Sequence, residues 1–167
     1  PNTTYYFRVG SLNWNSTANM TAMASTTTRA SAVSGAQAFR VYETSAALNW
    51  LPLPASPQSA RSEGYRVEAS STNFGTLSLG GAVLSSTTPD VALATLTVSA
   101  LVSNTTYYFR VAALNISDTP HFQILPASAT LAVPPVSLAR SAGYTTSRPM
   151  TWAAQDSHGF DLQASVN

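Results

Sequence analysis

The chain has 167 residues, a formal net charge of +1, 44% apolar residues and only 9% charged residues, where an average soluble domain carries about 25% charged. All eight positive charges are Arg, none is Lys, and about 44 Ser and Thr supply the polarity that charge normally provides. Scattered Arg creates no field to hold a nucleic acid, the absence of Cys excludes disulfides, zinc knuckles and thiol nucleophiles, and the uncharged stretch 69–89 is too rich in Ser, Thr and Gly to enter a membrane.

No leader peptide precedes the first residue, which is Pro rather than Met, so the chain reads as a piece of something longer. Residues 2–9 spell NTTYYFRV, and residues 104–111 spell it again, 102 positions on. A second pair lies at the same offset: Tyr42-Glu43-Thr44-Ser45 with Trp50, and Tyr144-Thr145-Thr146-Ser147 with Trp152. Two independent matches at one spacing define a repeat of about 102 residues. The expected division is 1–28 as the end of one unit, 29–132 as a complete unit, and 133–167 as the start of a third.

Within the complete unit the period is two rather than 3.6. Strands are expected at 33–41, 46–50, 65–70, 77–83, 92–99, 106–114 and 123–131, built on Val, Thr, Tyr and Phe and punctuated by Pro, Ser and Asn. Seven short strands in about a hundred residues predict an all-β, immunoglobulin-like antiparallel sandwich. Alternation places Tyr107, Phe109 and Val111 on one face, with Tyr108 and Arg110 on the other. Leu101 closes the end of the core, and the Tyr107 hydroxyl reaches back to the backbone near it. Leu48 and Trp50 face inward, with Leu96 and Val98 beside them. In an immunoglobulin-like sandwich the third and sixth strands are neighbours, so Arg66 and Glu68 share the outer face with Tyr108 and Arg110, and a Glu68–Arg110 cross-strand pair is expected.

The run 101–115 (LVSNTTYYFRVAALN) resembles the E–F corner and F strand of a fibronectin type III domain: Leu101, a turn, Tyr107 six residues on, alternating apolar residues, and Asn115 closing the strand. Trp50 is similar to that family's B-strand Trp, with Trp152 in the same place in the next unit, and Tyr65-Arg66-Val67 resembles its C strand. The family's Pro-Gly-Thr turn appears as Ser103-Asn104-Thr105, whereas Pro1-Asn2-Thr3 keeps the Pro. The resemblance implies strands F and G in 1–28, A to G in 29–132, and A to C in 133–167. It implies a scaffold rather than a particular activity.

Chemistry-bearing residues are sparse. His121 and His158 fall in stretches read as solvated loops, Asp90 follows Pro89 as a turn residue, and the seven acids form no general acid–base pair. No GxSxG, HExxH or phosphate-cradling loop occurs, so neither an enzyme nor a cofactor is expected. Five sequons, at Asn2, Asn15, Asn19, Asn104 and Asn115, are candidate glycan acceptors. Asn15 and Asn19 are the best placed, in the first unit's F–G region. Asn2 and Asn104 sit where a turn favours a residue tolerant of positive φ. Trp14, Tyr6 and Tyr108 are candidate contact residues, and no Arg-Gly-Asp is present.

The cut units cannot bury their inner faces alone. Strands from a neighbouring segment or a second copy are expected to complete them, giving head-to-tail self-association that does not close. The expectation is a structural, extracellular or cell-surface protein forming a fibre, filament or layer. An adhesive ectodomain and a spacer in a secreted carbohydrate-active enzyme are the alternatives.

Overall fold

The computed structural model describes residues 1–76 and 81–165. In the middle of the chain two antiparallel sheets face each other. One contains β5 (Ser34–Val41), β6 (Ser45–Leu51) and β9 (Thr95–Ser99), in that order. The other runs β11 (Pro120–Ile124), β10 (Thr106–Leu114), β7 (Tyr65–Ser70), β8 (Val83–Thr88), and short β12 (Ser128–Ala129) also pairs with β10. This is a β-sandwich of the immunoglobulin type.

Period-two patterning explains the core. Ala46, Leu48 and Trp50 of β6 are buried while the residues between them are only half-buried. Tyr107, Phe109 and Val111 of β10 meet them from the opposite sheet, joined by Val67, Val98, Leu101 and Leu125. Burial of each large apolar side chain contributes about 1.5–3 kcal/mol. Trp50 and Tyr65 lie with ring centroids 5.0 Å apart. The Tyr65 hydroxyl accepts from the Leu53 N–H at 2.7 Å and donates to the Val91 carbonyl at 3.2 Å. Tyr107 accepts from the Val102 N–H at 3.0 Å, the backward reach expected of it. Leu48 pairs with Leu96 and Ala46 with Val98 along the β6–β9 ladder.

The differences from expectation have local causes. The strand expected at 77–83 lies for the most part outside the described residues, and the strand that pairs with β7 here is β8, whose Ser85-Ser86-Thr87-Thr88 carries no apolar alternation. Asp90 accepts from the Ala92 N–H at 2.9 Å, which keeps 90–93 in a turn and starts β9 at Thr95. The single strand expected at 123–131 is two, β11 and β12. Pro126 has no N–H to donate between them, and Leu125 alone bonds back, to the Phe109 carbonyl at 3.0 Å.

On the N-terminal side, β1 (Thr4–Tyr5) pairs with β4 (Thr26–Thr27), and β2 (Arg8–Leu12) forms a hairpin with β3 (Ala18–Ala22). On the C-terminal side, β13 (Val136–Arg140) pairs with β14 (Met150–Ala153). Among the described residues of 133–167 these are two strands, where the resemblance implied three. Their ladder copies the central one. Val136↔Ala153, Ala139↔Thr151 and Arg140↔Met150 stand 102 positions after Ser34↔Leu51, Gln37↔Asn49 and Ala38↔Leu48, with the same bulge.

Candidate functional site

Trp14 is fully exposed at the β2–β3 turn, and Tyr6 is exposed between β1 and β2. All of β2, a strand about 16 Å long at ~3.3 Å per residue, lies between them together with Phe7 and Asn13, so they form no common platform. Tyr108 is half-buried on the outer face of β10, opposite Ser70, and is the least available of the three.

Beside Tyr108 the expected ion pair is in place. Arg110 and Glu68 are direct cross-strand partners, with Arg110 Nε donating to Glu68 Oε2 at 2.8 Å and Nη2 at 2.6 Å from the same oxygen. The sequence did not signal the rest of the arrangement: the guanidinium lies between two rings, 3.8 Å from the Phe74 centroid and 3.9 Å from that of Phe122. Phe74 comes from a turn with φ 55 and Phe122 from β11, so no spacing links the three residues.

The densest polar cluster lies where the N-terminal segment meets the central sandwich. Asn2 stands in the left-handed region, φ 48, and is completely buried. Its Nδ2 donates to the Arg61 carbonyl at 3.1 Å and Glu63 Oε1 at 3.2 Å, with the Gln58 carbonyl at 3.4 Å. Its Oδ1 accepts from the Ile116 N–H at 2.8 Å. Around it, Glu63 takes hydrogen bonds from Gln58 and from Nε and Nη2 of Arg61. Burial raises the Glu63 carboxyl, but the bonds from Gln58, Arg61 and Asn2, with the Arg61 charge, outweigh it and hold the group below its ordinary value.

Further bonds extend this seam. Asn115 Nδ2 donates to the Thr28 carbonyl at 3.1 Å, and Ser117 Oγ to Thr27 Oγ1 at 3.1 Å. His121 is half-buried in β11, not in a solvated loop as expected, and its Nδ1–H donates to the Ala30 carbonyl at 2.8 Å. The carbonyl can only accept, which fixes the proton on Nδ1. His158 is exposed.

The sequons separate on the same geometry. The nitrogens of Asn2 and Asn115, the atoms a glycan needs, are buried and committed to hydrogen bonds, so an attached sugar does not fit there in this arrangement. Asn115 Oδ1 also caps its turn by accepting from the Ser117 and Thr119 N–H groups. Asn104 is half-buried, with φ 49 and Nδ2 at 3.4 Å from Asp156 Oδ1. Asn15 and Asn19 are exposed. Among the described residues no three His, Asp or Glu side chains converge as a metal site does.

The family model of the fibronectin type III domain matches residues 31–123. Among solved structures, a two-domain fibronectin type III segment from chicken tenascin is 17% identical, covers 76% of this chain and 65% of its own, with a TM-score of 0.49. Domains A168–A170 from titin are 21% identical over 65% of this chain and 36% of their own, TM-score 0.46. The FN5 domain of Drosophila Lar is 19% identical over 60% of this chain and 96% of its own, TM-score 0.33. The chain thus spans about a third of the titin segment and just under two thirds of the tenascin one. No curated protein matches.

Proposed function

Because the chain belongs to the fibronectin type III family, whose domains are generally non-catalytic modules, we propose that it is a structural, non-enzymatic stretch of an extracellular or cell-surface array. Units follow one another at a 102-residue period and build a fibre, filament or layer. One observation carries this reading: backbone bonding repeats at that offset. Asn2 N–H to Arg29 O, Thr28 N–H to Thr3 O and Tyr42 N–H to Ser45 O recur as Asn104 to Leu131, Thr130 to Thr105 and Tyr144 to Ser147, all between 2.8 and 3.1 Å.

The outer segments fit the same reading. Tyr5 and Phe7 are 49% and 45% exposed, whereas Tyr107 and Phe109, their counterparts 102 positions on, are 5% and 0%. A neighbouring segment or a second copy supplies what covers them, and self-association is the interaction this surface supports. Electron microscopy of native material tests the reading. A fibre or layer with a repeat of about 30 Å, the length of a nine-residue strand at ~3.3 Å per residue, is the expected image. Isolated particles of no fixed spacing would overturn it. Mass spectrometry of the same material reads whether Asn15 and Asn19 carry glycan.

A further inference from the structure

We propose that the Asn-Thr-Thr turn is the lock between successive units, with Asn2 as a side-chain peg seated in a socket of the unit that follows. The socket is a built one. Its walls are the carbonyls of Gln58 and Arg61, the Glu63 carboxylate, and the Ile116 N–H at the β10–β11 turn. These come from two separate loops of the central sandwich, themselves tied together by the Glu63 N–H to Leu114 O bond at 2.9 Å.

The peg matches the socket in chemistry. A carboxamide offers two N–H donors and one strong acceptor on a single plane, and the socket presents acceptors on one side and a donor on the other. Asp in that place keeps the acceptor, loses both donors and brings a second negative charge against Glu63. Ser and Ala do not reach both walls. The left-handed backbone of Asn2 points the side chain out of its own unit at little cost, because Asn tolerates that region better than other residues with a side chain. The same turn at Asn104 has the same φ and the same backbone bonds, and its Nδ2 likewise leaves its own unit, toward Asp156 of the next. The lock fixes how one sandwich sits on the next, so that an array of such units bends at set angles rather than freely.

This deepens the array reading and rests on it for its purpose, but its test is separate. In the full chain, Asn2→Gly keeps the left-handed turn and removes only the peg. Exchange of the Ile116 amide is then expected to quicken roughly tenfold, in line with the loss of one buried hydrogen bond. Residual dipolar couplings should show the β2–β3 hairpin no longer holding one orientation relative to β10, while β10 amides keep their protection. Ile116→Pro, which removes the donor from the socket side and leaves the first unit untouched, should free the hairpin in the same way. A single unchanged orientation in both variants would overturn the lock. Micrographs without fibres alongside an intact lock would instead count against the array.

Discussion

Tyr107 and Tyr65 each spend a phenolic oxygen on a backbone N–H that has no other partner among the described residues, at Val102 and Leu53. Tyr107→Phe leaves the Val102 N–H unsatisfied and is expected to cost about 1–2 kcal/mol in urea unfolding. Arg110 acts differently. Its removal leaves the buried Glu68 carboxylate without its cation, and each ring it touches adds about 0.5–1 kcal/mol. Arg110→Ala should therefore destabilise more than Glu68→Ala in thermal unfolding; equal losses would assign the role to the ion pair. Glu63 carries a pH dependence. Its folded carboxyl lies below the ordinary value of 4.5, so its contribution is complete above that value and is lost as pH falls through the lower, folded one. Acid is expected to loosen the bonding around Asn2, seen as a loss of Ile116 amide protection relative to its intrinsic exchange rate as pH falls below the ordinary value of 4.5, and Glu63→Gln should remove that step.

At the scale of elements, stability is uneven. β10 is covered on both sides along Ala112–Leu114, whereas every residue of β3 and β13 is exposed. Amides of β2, β3, β13 and β14 are expected to exchange with solvent orders of magnitude faster than those of β7 and β10; uniform protection would mean that something covers the outer hairpins in solution. The same contrast explains what was legible. β6, β7 and β10 announced themselves because alternating apolar residues must face one core, and the adjacency of the third and sixth strands in this kind of sandwich then placed Glu68 beside Arg110. β8 did not, since its hydroxyl-rich strand exists to satisfy the free edge of β7 and carries no pattern of its own. The break at Pro126 was written in the residue type but hidden inside an apolar run. The Asn2 socket was illegible for another reason: its members, from Asn2 to Ile116, are 114 positions apart, and only the recurrence of Asn-Thr-Thr hinted that the turn had a task beyond turning.

For the molecule as a whole, the two outer segments carry, at the 102-residue offset, counterparts of residues that face each other in the central core. Tyr5, Phe7 and Val9 correspond to the side of the core that covers Leu48 and Trp50, and Met150 and Trp152 correspond to Leu48 and Trp50 themselves. Sedimentation velocity of the 167-residue chain is expected to show association rising with concentration, and Phe7→Glu should suppress it by burying a charge in the joined core. A chain that stays monomeric throughout would remove second copies as the covering partner and leave that task to adjoining sequence.

The nitrogen that seats Asn2 in its neighbour is also the atom an oligosaccharide transferase would modify in an Asn-Thr-Thr sequon. In a cell that glycosylates such sites, the Asn2 junction becomes a race: either the following unit folds first and hides the nitrogen, or the sugar arrives first and that junction stays open for the life of the protein. The order of folding along the polypeptide would then be recorded permanently in its stiffness.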